Sequence, residues 1–187
     1  MHWALTTAAQ VLLIVLLADF IGGLFHWAED TFGHLDTPIW GPLFVRPNIG
    51  HHDRPADILQ VPWLRGARMI LLAGAVILGT AWVLGALSWQ LILLLALAGL
   101  NDQAHRWEHT PPARLPRLVP VLRRLKVLQT ARHHWQHHIA PHTSHYCVLT
   151  PWLNPVLDRS GFWRGMEALL SPLFGTPRQR DMAGRNG

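Results

Sequence analysis

Between Met69 and Leu100 the chain carries no charged side chain, and this run narrows the folds open to it more than any other feature. A helix rises 1.5 Å per residue and needs about 20 apolar residues to cross a hydrocarbon layer about 30 Å thick. The run is too long for one upright span and barely long enough for two. Gly85, Ser88 and Trp89 offer a tight turn with an interfacial aromatic, so a helical hairpin is expected. A single strongly tilted helix is the alternative. Residues from about Ala4 to Phe25 form a second apolar run, with Asp19 its sole charge. No basic segment precedes it and no small-residue cleavage site follows, so a retained span is expected rather than a signal peptide. That helix should continue directly into His26-Trp27-Ala28-Glu29-Asp30.

Composition agrees with a membrane protein. Only 14% of residues are charged, against roughly 25% in soluble domains. The expected fold is therefore all-α and integral to a membrane, a single domain over residues 1–187. It has about three transmembrane helices, near 4–25, 67–85 and 88–108, and a cytoplasmic histidine-rich cap from about 110 to 187. Between the first two spans, residues 31–66 are rich in Pro, Gly and Trp and should form loops and short interfacial helices. Leu118 to Gln129 and Phe162 to Phe174 have the spacing of amphipathic surface helices.

No Lys or Arg precedes Arg46, whereas arginines crowd Arg106 to Arg132 and Arg159 to Arg185. The positive-inside tendency then places the N-terminus outside and the loop and C-terminal region in the cytoplasm, in a bacterial inner membrane or the endoplasmic reticulum. The net charge of +5 suits anionic lipid headgroups. No nucleic-acid motif accompanies it, so nucleic acid is excluded as a partner. With this topology every histidine but His2 falls on one side of the membrane.

The chain holds 13 histidines and one cysteine, Cys147. That excludes a disulfide framework and thiolate-rich zinc or iron–sulfur sites. A bound metal would be held by imidazole and carboxylate, which suit zinc, iron, copper or nickel. His26 and Asp30 stand one helical turn apart on one face, and Asn101, His105 and His109 repeat that spacing. His51-His52 is an adjacent pair in a loop flanked by Pro and Gly. In His133-His134-Trp135-Gln136-His137-His138, two pairs lie a turn apart, so His134, His137 and His138 can converge on a metal. One H-x-x-x-H pair means little; four clusters on one side of a membrane are specific as a set. Eight or more candidate ligands exceed the four of a zinc site and fit two metal ions. Soluble di-iron bundles rely on Glu and Glu-x-x-His motifs, and with only Glu29, Glu108 and Glu167 this chain does not fit them.

In this order, and with their surrounding words, the clusters resemble the Kua family of membrane lipid desaturases, the plasmanylethanolamine desaturase family. The matching stretches are Asp19-Phe20 with Gly23, His26-Trp27, Asp30-Thr31, Arg46-Pro47, His51-His52 and Pro55. They continue through Asn101, His105-Arg106-Trp107 and His109-Thr110. The most specific block is HHWQHHIAPH, followed by Tyr146-Cys147, Trp152-Leu153-Asn154, Gly161-Phe162-Trp163 and Pro177-Arg178. The likeness covers about residues 19–181; the apolar hairpin matches in character only. It implies an O2-dependent di-iron desaturase acting on a phospholipid, with electrons from a cytochrome b5 or a ferredoxin. In that family the product is the vinyl ether of plasmalogens or, in a plant branch, an unsaturated acyl chain of phosphatidylglycerol. Carried over, the implied metal ligands are His26, Asp30, His51, His52, His105, His109, His134, His137 and His138. His133 and His142 also match, as ligands or as groups behind them, and Asn101 can reach a metal through water. His2, His34 and His145 are bystanders, and Pro151 stands where the family often has Gly.

From charge and depth alone, Arg46, Arg54 or Arg106 would meet the lipid phosphate. Three other readings stay open at this level. An acyl-chain desaturase or hydroxylase could use the same centre, since both outcomes share their first step. A membrane metal-binding or transport protein would want polar residues inside the spans, where only Asp19 qualifies. A histidine-coordinated zinc hydrolase would want a carboxylate base, and Asp30 or Glu108 could serve.

Overall fold

A computed structural model describes residues 2–178 of the chain, and among these it contains helices and no strand. The part of the expected cap beyond residue 178 lies outside the described residues.

The first helix, α1, runs unbroken over His2–Phe32 and is long and apolar enough to cross a membrane. Its first half exposes Trp3, Leu5, Leu12 and Leu13. Its second half buries Asp19, Gly23, His26, Trp27 and Asp30, positions three or four apart that fall on one face. The expected hairpin is present as two helices, α4 (Arg68–Val83) and α5 (Trp89–His109). Gly85 adopts a left-handed φ of 66° at the turn, open to glycine without a Cβ penalty. Ser88 caps α5 by accepting the Leu91 N–H at 3.3 Å. α4 is apolar but shorter than a full span, and α5 is apolar only in its first half.

The main packing pair is α1 against α5, and small residues let them close. A Cβ on Gly22 would lie 1.6 Å from Asn101 Nδ2, and Ala18 meets Ala104 in a buried cluster with Leu149. Between α1 and the hairpin, one π-helical turn at Gly41–Val45 leads directly into α2 (Arg46–Asp53). The short α3 (Trp63–Gly66) then precedes α4.

Beyond α5 the amphipathic stretch after Leu118 is shorter than its pattern suggests: α6 covers Leu118–Arg124 and stops. α7 (Ala131–Trp135) also ends early, so His137 and His138 lie in the turns after it. Thr130 supplies the α7 N-cap, accepting the His133 N–H at 3.2 Å. The extended segment Tyr146–Thr150 then crosses α1, wholly buried. α8 (Leu153–Ser160) and α9 (Phe162–Phe174) meet at Gly161 and close the cap on α1, Trp163 stacking on Trp27 at 5.8 Å.

Candidate metal centre

Each candidate ligand reaches the centre for a local reason. His26 and Asp30 leave the buried face of α1, His51 and His52 come from the last turn of α2, and His105 and His109 leave the end of α5. His134 sits on α7, and the turns after it bring back His137 and His138. The side chains gather into two groups whose ligand atoms lie within 4.8 Å of one another: His51, His105, His109, His134 and His138 in one, His26, Asp30, His52 and His137 in the other. The groups share a wall, with the His26 and His105 rings 5.4 Å apart and those of His51 and His52 4.6 Å apart.

Distances within the groups test whether a metal fits. His134 Nε2 lies 3.0 Å from that of His105 and 3.1 Å from those of His109 and His138. His52 and His137 bring theirs to 2.9 Å. Neutral imidazoles carry one N–H each, too few protons to bond such a cluster together. Ligands at about 2.1 Å from a common ion would be about 3.0 Å apart at right angles and about 3.4 Å apart in a tetrahedron. The observed separations of 2.9–3.1 Å are short enough for ligands that share an ion. His26 Nε2, His51 Nε2 and Asp30 Oδ2 are also buried without a hydrogen-bond partner. Such atoms are costly to leave unmatched, and one cation in each group would match all three.

The surroundings fix which nitrogen faces inward. His26 Nδ1 donates to the Tyr146 carbonyl at 3.1 Å, His137 Nδ1 to the Ser144 carbonyl at 2.8 Å, and His51 Nδ1 to the Asn48 carbonyl. A carbonyl only accepts, so each Nδ1 carries the proton and each Nε2 keeps its lone pair. Asn48 Nδ2 donates to Asp30 Oδ1 at 2.7 Å, and the Arg178 guanidinium stands 4.0 Å from the same oxygen. Burial, reinforced by neighbouring imidazoles, holds His51, His52 and His134 well below the usual histidine range and His138 down to about 3. These rings are neutral at physiological pH, the form that ligates.

Of the other residues singled out from sequence, His133 belongs to neither group. Its Nε2 lies 3.3 Å from Asn154 Nδ2 and its ring packs on His145. His142 stands behind the ligands, stacked on His52 at 4.4 Å and donating to the His137 carbonyl. Asn101 is buried against Gly22. His34 is exposed, and His145 faces Asp158 at 3.0 Å. Glu108 faces Arg123 at 3.3 Å and is in neither group, which leaves a hydrolase without that base. Arg46 and Arg106 line a cavity beside the centre, while Arg54 lies outward against Asp57.

Three supporting residues had no role assigned from sequence. Asp19 accepts from Leu149 N (2.8 Å), Thr150 N (2.9 Å) and Thr150 Oγ1 (2.7 Å). Asn154 clamps Cys147 from both sides, Oδ1 accepting its N–H at 2.9 Å and Nδ2 donating to its carbonyl at 2.8 Å. Tyr146, the sole tyrosine, orients His26 through its carbonyl while its hydroxyl donates to the His142 carbonyl at 2.9 Å. A charge inside an apolar helix was a usable signal for Asp19; backbone carbonyls leave no trace in a sequence.

The family described as a lipid desaturase domain matches residues 15–181. The chain is 36% identical over 180 residues to plasmanylethanolamine desaturase 1 of Mus musculus, covering 89% of this chain and 66% of that protein. It is 32% identical over 192 residues to plasmanylethanolamine desaturase of Myxococcus xanthus, covering 96% and 66%. A probable fatty acid desaturase of Acanthamoeba polyphaga mimivirus is 31% identical over 178 residues, covering 92% and 86%. The chain thus spans just under two thirds of the length of the mouse and Myxococcus proteins. No solved structure matches it. With the family match running through all four histidine clusters, the chain belongs to the lipid desaturase family, with plasmanylethanolamine desaturases among its relatives.

Proposed function

We propose that the protein is a membrane-embedded, O2-dependent di-iron desaturase that forms the vinyl-ether bond of a plasmalogen from an alkyl ether phospholipid. One observation carries this: nine candidate ligand side chains in two adjoining groups, eight of them imidazoles, with nitrogen–nitrogen separations near 3 Å. Five donors in one group exceed a tetrahedral zinc site, and the near-absence of carboxylate departs from soluble di-iron bundles.

An unactivated methylene is far too weak an acid for any side-chain base. Iron with O2 would supply the oxidising power that removes two hydrogens, the electrons coming from a cytochrome b5 or ferredoxin. The protein's own residues bind, orient and shield. His26, Asp30, His52 and His137 would hold one ion and His51, His105, His109, His134 and His138 the other. The carbonyls of Tyr146, Ser144 and Asn48 fix ring orientation, and the buried Tyr146–Thr150 segment excludes water from one side.

For the substrate, the names of the mouse and Myxococcus relatives favour an ether lipid. The cavity beside His51 and His105 holds about 540 Å³ and is ringed by charged residues. A polar headgroup seated there would keep the reacting carbons close to the glycerol, as a vinyl ether requires. The mimivirus relative's name favours an acyl chain instead, with the same centre. Membrane embedding is supported by exposed Leu72, Val76, Trp82 and Ile92 on the hairpin and exposed Leu12, Leu13 and Leu17 on α1, and a cytoplasmic histidine face is inferred from the arginine distribution alone.

Lipid analysis of cells supplied with an alkyl ether lipid and expressing the protein tests the reading. Vinyl-ether species lighter by two hydrogens are expected. Acyl chains lighter by two hydrogens with the ether lipid unchanged would select the acyl reading, and no change in either would overturn both.

A further inference from the structure

Forming a carbon–carbon double bond releases two hydrogen atoms, whereas reducing O2 to two water molecules takes up four. With O2 as oxidant, two electrons and two protons must therefore reach the centre from outside in each turnover. Every candidate ligand is buried or half-buried, so the electrons need a side chain that touches both a ligand and solvent. Trp135 is such a side chain. Its indole stacks on the His138 ring, with centroids 5.6 Å apart and planes inclined at 19°, within the range of offset aromatic stacking. His138 belongs to the five-histidine group, its Nε2 3.1 Å from that of His134. Trp135 nevertheless keeps 54% of its surface exposed. Among the described residues no other tryptophan stacks on a candidate ligand.

The chain on either side of Trp135 carries charge of one sign. From His109 to Leu157 it has no carboxylate. Arg114, Arg117, Arg124, Lys126 and Arg132 are exposed, and none pairs with a carboxylate among the described residues. Arg132 stands three residues before Trp135 on α7, on the same face. The end of α6 is tied to the start of α7 by Arg123, whose Nε donates to the Gln129 carbonyl at 3.1 Å. Ile139, in the turn beyond, is exposed as well. Exposed tryptophan beside free arginine is the composition of a protein-docking surface, and unpaired positive charge selects an acidic partner.

We propose that electrons enter the centre through Trp135, on a face of α7 that docks a small acidic protein carrying a one-electron redox group. Two reduced carriers dock in turn, each losing one electron across the Trp135–His138 stack, while the two protons come from solvent. The inference rests on the O2-dependent reading, since a hydrolase or a transport protein would need no electrons. Its test uses purified, iron-loaded protein in detergent, with the soluble haem domain of a cytochrome b5 and a plant-type ferredoxin as carriers. Calorimetry with the oxidised carrier gives the docking affinity without turnover. Anaerobic mixing with the reduced carrier, followed by its absorbance, gives the rate of transfer within the complex.

Docking should weaken on the order of tenfold as salt screens the charges. The double variant Arg124→Glu/Arg132→Glu should weaken it by a similar factor and retain the rate within the complex. Trp135→Leu should slow that rate on the order of tenfold, the lower end of what losing a contact to a metal ligand costs, and Trp135→Phe should restore most of it. Dithionite, a small reductant that needs no docking face, should reduce both Trp135 variants as fast as the unaltered protein. Equal slowing with dithionite would mark a merely structural role and overturn the proposal. So would docking of neither carrier, or an affinity indifferent to the charge reversals. Displacement of the carrier by dihexanoyl phosphatidylglycerol would assign the cations to lipid headgroups and overturn it too. A carrier that docks as expected yet stays reduced would overturn the O2-dependent reading as well, whereas loss of the docking face alone leaves the reading of the centre intact.

Discussion

His134 is the hub of the five-histidine group, its Nε2 within 3.1 Å of three other ligand nitrogens, whereas His133, its neighbour in sequence, faces Asn154 and His145. The motif HHxxHH does not distinguish them; the direction of the short α7 does. His134→Ala should therefore strip metal and lower product about 100-fold or more, while His133→Ala keeps its metal. Equal metal loss from both would contradict the grouping. Retained metal in an orienting-group variant would still allow losses of about 10–100-fold in affinity or activity. The ligand types and spacings were legible in the sequence because i, i+4 pairs on helices announce themselves. The carbonyls that set each tautomer were not, since any residue can supply one.

Neutral, buried rings also give the metal-free protein a pH dependence. His138 titrates near 3 when folded, against about 6.5 in an unfolded chain, and burial is the main cause. Between those values the unfolded chain binds more protons, so acid favours unfolding. The melting temperature of metal-stripped protein should be level above about pH 6.5 and fall as the pH drops toward 3. A melting temperature that rises with acid would show that the rings are not buried neutral.

Among the elements, α1 does the most to position the site. Asp19 and Gly23 precede His26 on its buried face and set where Tyr146–Thr150 can cross. A Cβ at Gly23 would lie 2.5 Å from Cys147 Sγ and 3.1 Å from its backbone nitrogen, so the backbone itself would have to shift. Gly23→Ala should cost about 1–3 kcal/mol and loosen the His26–Tyr146 bond, seen as a lower melting temperature and reduced metal content. Gly79→Ala, where a Cβ meets nothing within 4 Å, should be neutral or stabilising by up to about 1 kcal/mol. If both variants behave alike, the close crossing at Gly23 is wrong. The hairpin turn was legible because Gly85 and Ser88 punctuate an otherwise uniform run. The early ends of α6 and α7 were not, because the apolar spacing continues past them and tertiary contacts decide where each helix stops.

At the scale of the molecule, α1, α4 and α5 expose large apolar side chains, as the long uncharged runs led one to expect, and the proposed cytoplasmic histidine face rests on the arginine distribution. Cys147 is the only cysteine and is buried, so introduced cysteines can report sidedness cleanly. Thr6→Cys should react with an impermeant thiol reagent on intact cells and Arg132→Cys only after permeabilisation. Reaction of Arg132→Cys from outside would invert the topology. What the sequence could not convey is that four clusters scattered from His26 to His138 divide five to four between two adjoining groups, because that division depends on how α2 and α7 dock onto the ends of α1 and α5. Metal analysis of the purified chain tests it most directly. Two irons per chain are predicted, both lost from His134→Ala or depleted together, whereas a single zinc per chain would contradict the account.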